Sequence, residues 1–219
     1  MDRLIELLPD FSQAALETLY MTTFALAMAG VIGTVIGIGL YVTRPGGLMA
    51  NRPLSILISF LVNFIRPIPF VIFIAVLQPF TRIVIGTGIG INAGAFAIGV
   101  AASFAIGRIV EQHLVSVSPG VIEAARSMGA GPWRILLTVA MPEALGPLIL
   151  GYTFIVVALI DMTAMAGLVG GGGLGAFAQV YGFRQFEPVV MWAAIILIVV
   201  FVHLVQTFGT WLARRIMRR

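Results

Sequence analysis

Along this chain the polar residues fall in short clusters and the apolar residues in long runs. Residues 18–43, 83–107 and 188–213 contain no charged side chain, and 53–81 contains only Arg66. A fifth run, 144–183, contains only Asp161 and ends in the glycine cluster GGGGLG at 170–175, which limits its spanning part to about 145–168. A helix that crosses a bilayer needs about 20 consecutive apolar residues. The pattern predicts an all-α membrane protein with five transmembrane helices, near 18–43, 54–78, 88–108, 145–168 and 188–212, in one domain over 1–219.

Detail inside the runs adds to this. Residues 1–15 set Leu4, Ile5, Leu7 and Leu8 against Asp2, Arg3 and Glu6, the pattern of an amphipathic segment lying in the interface. Gly30, Gly33, Gly37 and Gly39 recur at helical spacing and would let a second backbone approach closely. In NFIRPIPF (63–70), Pro67 and Pro69 lack a backbone N–H and must disturb the helix beside Arg66. Gly170, Gly172 and Gly175 spell G-x-G-x-x-G, but that motif binds dinucleotides only between a strand and a helix, so a flexible turn is expected.

Composition agrees with the pattern. The chain is 60% apolar and 10% charged, with mean hydropathy +1.07, outside the range of water-soluble domains. All 13 basic residues are Arg, and the net charge of +4 is spread between the apolar runs. That distribution speaks of membrane topology and not of nucleic acid. Arg44, Arg52, Arg108, Arg126, Arg134 and the four arginines after residue 213 fall in alternate connections, against Arg3, Arg82 and Arg184 in the others. By the positive-inside rule the nine face the cytoplasm, with the N-terminus outside and the C-terminus inside. Asp2, Glu6 and Asp10 interrupt any signal-peptide pattern, so the first span serves as its own insertion signal. There is no Cys and no Lys, so the chain has no thiolate metal site and no P-loop of its own. No cofactor is expected.

The most polar connection, 118–142, then becomes the focus. Ser118-Pro119 offers an N-cap and a first helical residue, Gly129 a left-handed stop, Pro132 a second start and Pro142 a second stop. Glu123 and Arg126 share one face, and Val121, Ala124, Ala125 and Met128 supply small or apolar contact surface. The pattern alone leaves two readings open: a hairpin that lids the bundle, and a short helix presented to a partner's groove.

This segment resembles the EAA motif of permease subunits of binding-protein-dependent ABC importers, with Glu123, Ala124, Ala125, Gly129 and Pro142 in the motif positions and Val139 and Met141 as conservative departures. YVTRPG (41–46), NFIRPIPF, PFTRIVIGTGIG (79–90), MPEAL (141–145) and GGGGLG followed by YGF (181–183) narrow the resemblance to methionine ABC transporter permeases. The resemblance implies a type I permease fold, a homodimer, two cytoplasmic ATP-binding subunits and an external methionine-binding lipoprotein, in the bacterial inner membrane. It makes 118–142 the segment that couples to the ATPase, and the missing Lys fits an energy source on another chain.

Two charges and one methionine inside the spans remain. Arg66 lies roughly 20 Å past Arg52 and Asp161 roughly 27 Å past Glu143 on a helical rise. An ion pair between them is one reading; a pore in which either charge meets a zwitterionic amino acid is the other. Asp161 departs from the small residue that the resemblance leads one to expect. Met165 is either a core residue or, near a dimer axis, a gate. Three rival functions are an intramembrane hydrolase, a gradient-driven transporter and a permease for another amino acid. His113 and His203 are the only histidines and no G-x-S-x-G or H-E-x-x-H is present, which argues against the first. A single carboxylate in the spans argues against the second.

Overall fold

The structure, a computed structural model, describes residues 2–217, so Arg218 and Arg219 lie outside it. Its helices are α1 (Asp2–Glu6), α2 (Leu8–Thr43), α3 (Arg52–Ile65), α4 (Phe70–Ile85), α5 (Ile91–Val115), α6 (Pro119–Ser127), α7 (Pro132–Ile135), α8 (Met141–Leu168), α9 (Gly173–Phe177) and α10 (Pro188–Met217). Two π-helical stretches, Leu136–Ala140 and Ala178–Phe183, follow α7 and α9.

The bundle is organised by the seam between α2 and α5. A Cβ on Gly33 would lie 2.7 Å from the Ser103 carbonyl oxygen, and one on Gly37 would lie 2.5 Å from Val110 Cβ. From the other side, Gly94 faces Met21, Gly99 faces Ala25 and Met28, and Gly107 faces Ile36. Small residues thus let the two backbones touch, which is how helices gain contact where lipid removes the hydrophobic drive. Residue numbers rise together along the seam, so α2 and α5 are parallel. The chain between Thr43 and Ile91 must therefore return across the layer. That return is made by α3 and α4, of 14 and 16 residues, or about 21 and 24 Å.

The remaining helices alternate. α8 runs antiparallel to α5, with Gly151 against Ile109 and His113, and Gly94 close to Ala166. α10 runs antiparallel to α8, with Gly209 against Thr153 and Gly146 against Met217. Four helices are each long and apolar enough to cross a membrane, and the bent pair makes a fifth when its two helices are counted as one span. One end of the bundle gathers Arg44, Arg52, Arg126, Arg134, Arg214 and Arg215, and the opposite end holds Arg3, Arg82 and Arg184. Arg3 donates to Gln185 there at 3.3 Å.

Several sequence expectations change in detail. The second span is not one helix: α3 and α4 meet at an elbow bent by 113°, because Pro67 and Pro69 bring no N–H to the helical ladder. The opening segment is not separate from the first span, since α2 begins at Leu8 and continues unbroken to Thr43. Its first turns pack on the opposite corner, where Leu7 and Ala14 join Leu174, Phe177, Val190 and Ala194. The third span extends to Val115 and the fifth to Met217.

The glycine cluster is a pinned turn and not a flexible one. Gly171 N–H donates to Ala166 O at 2.8 Å, and Gly90 N–H donates to Gly170 O at 2.9 Å. Gly173 N–H donates to the Glu17 carboxylate at 2.8 Å, and Leu174 N–H to the Thr18 hydroxyl at 2.9 Å. Two side chains of α2 therefore cap α9, and the positive φ of 80° at Gly172 and 78° at Gly173 explains why glycine stands there.

Candidate functional site

The first candidate surface is built by 118–135. Ser118 and Pro119 start α6 as expected, but the serine side chain makes no cap. The Val121 N–H that it would receive donates to the Ser118 backbone carbonyl at 3.2 Å instead. The other end matches a Schellman stop: Gly129 has φ 79°, its N–H donates to Arg126 O at 2.9 Å, and Ala130 N–H donates to Ala125 O at 3.2 Å. This stop turns the chain sharply into Pro132.

The helix presents one face inward and one outward. Ala125 is buried, and half-buried Ile122 packs on the bundle core. Glu123, Ala124, Val121 and Arg126 are exposed, and Met128 and Trp133 are 81% and 57% exposed. Glu123 and Arg126 do not pair: the guanidinium donates to Gly47 O at 3.4 Å, which ties α6 to the first connection. Among the described residues Glu123 has no ion-pair partner.

Pro142 does not end the second helix. The π stretch Leu136–Ala140 leads into α8 with Pro142 in its first turn, and wider i→i+5 pairing accommodates the N–H that proline lacks. Pro132–Leu168 is consequently one helical rod of 37 residues. Leu136, Ala140 and Ala144 root it in the core.

The second candidate surface is a cavity of about 430 Å³ at the elbow. Arg66, Asp161 and Met165 all line it. Arg66 stands at the C-cap of α3, where Ile68 N–H reaches back to Ile65 O at 3.1 Å. α4 packs on α5, with Phe80 against Phe96, and opposite the elbow α5 and α8 present the small Ala101, Ala102, Ala105 and Ala158. The alanines leave space that the larger side chains around it border but do not fill. Phe70, Phe73 and Met162 are among the larger apolar side chains of the lining. Arg66 and Asp161 are not an ion pair; the ion pairs among the described residues are Arg3 with Glu6 and Arg108 with Glu111.

Sequence reasoning missed the alanines of α5 and the Glu17–Thr18 cap. The alanines carried a readable signal, small residues repeated along a span, but nothing said which helix would bend away from them. Glu17 and Thr18 sit 156 residues from their partners, a pairing that no local pattern encodes. At the same end the Tyr181 hydroxyl donates to Asp10 at 3.2 Å. The Asp10 charge, with burial and the hydrogen bond, pushes the phenol above its ordinary range, and Arg3 opposes this.

A family model for binding-protein-dependent transport system inner membrane components matches residues 33–218. The chain belongs to that family. It is 36% identical over 206 residues to the probable D-methionine transport system permease protein MetI of Vibrio cholerae, covering 94% of this chain and 92% of the relative. It is 39% identical over 212 residues to the methionine import system permease protein MetP of Bacillus subtilis, covering 97% and 96%. Among solved structures, an inward-facing conformation of the MetNI methionine ABC transporter superposes with a TM-score of 0.93 at 38% identity, over 99% of both chains. A crystal structure of an amino acid ABC transporter with histidines shares the fold, with a TM-score of 0.75 at 19% identity. The chain is thus a multi-pass permease subunit of the ABC importer type, and any ATP hydrolysis belongs to a partner.

Proposed function

We propose that this protein is the homodimeric permease of an ATP-driven importer of methionine, in which the exposed face of α6 docks on a cytoplasmic ATPase. The observation that carries the reading is the 37-residue rod Pro132–Leu168. Its cytoplasmic end adjoins the exposed docking helix, and its other half carries Asp161 and Met165 on the cavity wall. A displacement of α6 is passed through the short Gly129–Gly131 turn to the rod, which carries it to the cavity as one continuous helix. Glu123, Ala124 and Met128 face the ATPase groove, Ala125 anchors the helix to the bundle, and Gly129 and Pro142 set the angle of the rod. ATP binding draws two ATPases together and opens the permease outward to a loaded external binding lipoprotein; hydrolysis resets it inward. Coupling needs only different contacts of α6 with the two ATPase states.

In this reading the arginine-rich end faces the cytoplasm, the N-terminus lies outside, and the lipid-facing apolar surface is that of α10, where Trp192, Ile196, Leu204 and Phe208 are exposed. Met165 is the gate candidate, meeting its counterpart across the two-fold axis. The substrate follows from the relatives named for methionine.

The test is disulfide or bifunctional cross-linking from Ala124→Cys to the co-expressed ATPase, which is clean because the chain has no other Cys. The expected result is a cross-linked permease–ATPase pair that ATP modulates, lost in Glu123→Arg. A chain that purifies without an ATPase and gives no adduct would return 118–135 to the role of a lid.

A further inference from the structure

We propose that the elbow cavity is a binding site within the permease for the zwitterion of an α-amino acid with an unbranched apolar side chain. Arg66 would receive its carboxylate and Asp161 its ammonium. The inference rests on the permease reading and adds to it a site at which the membrane subunit itself recognises the substrate.

Arg66 at the elbow and Asp161 on α8 line one cavity without pairing, and both are exposed in the single chain. The cavity faces Ala102, at the middle of α5, which puts it at mid-membrane depth. There an uncompensated charge costs about 2.5–3.5 kcal/mol. A ligand with both charges satisfies both side chains at once, and neither a plain anion nor a plain cation does. At about 430 Å³ the space falls within the roughly 300–1,000 Å³ usual for small-molecule sites. The rest of the lining sets the side chain: Phe70, Phe73, Met162 and Met165 offer polarizable contact that suits a thioether or straight alkyl chain. No carboxylate besides Asp161 lines the cavity, which disfavours a dibasic ligand.

The experiment uses the permease–ATPase complex in nanodiscs without binding protein, titrated with radiolabelled L-methionine. Saturable binding is expected, with competition by L-norleucine, which keeps both charges. N-acetyl-L-methionine, which lacks the ammonium, and L-methioninol, which lacks the carboxylate, should compete about tenfold more weakly, the loss of one charge-assisted contact. Asp161→Asn should lower methionine affinity by about the same factor and erase the discrimination against the N-acetyl compound. Arg66→Gln should erase it against methioninol. Where either variant fails to assemble, Ala105→Cys keeps both charges, and methionine but not methioninol should slow its alkylation. Absence of saturable binding, or retained discrimination in both variants, while the same complex imports methionine with its binding protein, would overturn the site and leave the permease reading standing. A complete wild-type system that imports no amino acid would remove the permease reading and the site with it.

Discussion

The two sides of α5 are both built from small residues and end in opposite structures. Toward α2, Gly94, Gly99 and Gly107 receive Met21, Met28 and Ile36, while Gly33 and Gly37 of α2 receive Ile106 and Val110, and the backbones close on each other. Toward the elbow, Ala101, Ala102 and Ala105 face a chain that two prolines have bent, and a cavity remains. Small residues thus make a weld only where the partner helix is straight and its side chains fit the gaps they leave. Their function is decided by the opposite wall.

Substitutions can break this contrast, and the largest effect belongs to the welded side. Gly37→Val would press a Cβ to 2.5 Å from Val110 Cβ. Overpacking of this kind costs about 1–3 kcal/mol or more, here with backbone on one side, and loss of a monodisperse complex in detergent is expected by gel filtration. On the cavity side Ala105→Leu should leave assembly and melting temperature nearly unchanged, because it grows into open space. Its uptake should fall about tenfold or more, the effect of mispositioning a substrate. An equal loss of folding in both variants would erase the distinction.

Smaller effects sharpen the account at the two ends. Thr18→Val keeps the shape but leaves the buried Leu174 N–H without its acceptor, which should cost about 1–3 kcal/mol and appear as faster local hydrogen exchange at 173–175. Gly129→Ala meets no neighbour, so only the left-handed backbone resists it, at about 1–2 kcal/mol. The expected result is a folded permease whose ATPase activity is less dependent on substrate. A wild-type coupling ratio in Gly129→Ala would count against the role of the turn.

The sequence was informative where structure is local. The apolar runs gave the passages, the alternating arginines gave the two ends of the bundle, and Pro119, Gly129 and Pro132 marked the start and stop of α6 and the start of α7. Arg66 and Asp161 stood out as intramembrane charges and Met165 as either a core residue or a gate, and the fold brings all three to one cavity. What was not legible depends on relations between distant segments. Pro142 reads as a stop in isolation, yet the π stretch before it lets the helix continue. The glycine cluster reads as loose because its caps, Glu17 and Thr18, lie on another helix. The 113° elbow follows from Pro67 and Pro69 only in kind; its angle is set by packing of α4 against α5.

The most direct test of a water-filled path on one side of α5 is thiol accessibility in a chain that has no cysteine of its own. Ala101→Cys, on the cavity wall, and Ser103→Cys, buried on the α2 side at 2% exposure, would be treated with a small charged methanethiosulfonate in the assembled transporter. The account predicts modification at 101 that blocks uptake and none at 103. Equal reactivity at both positions, or modification at 101 that leaves uptake intact, would contradict it.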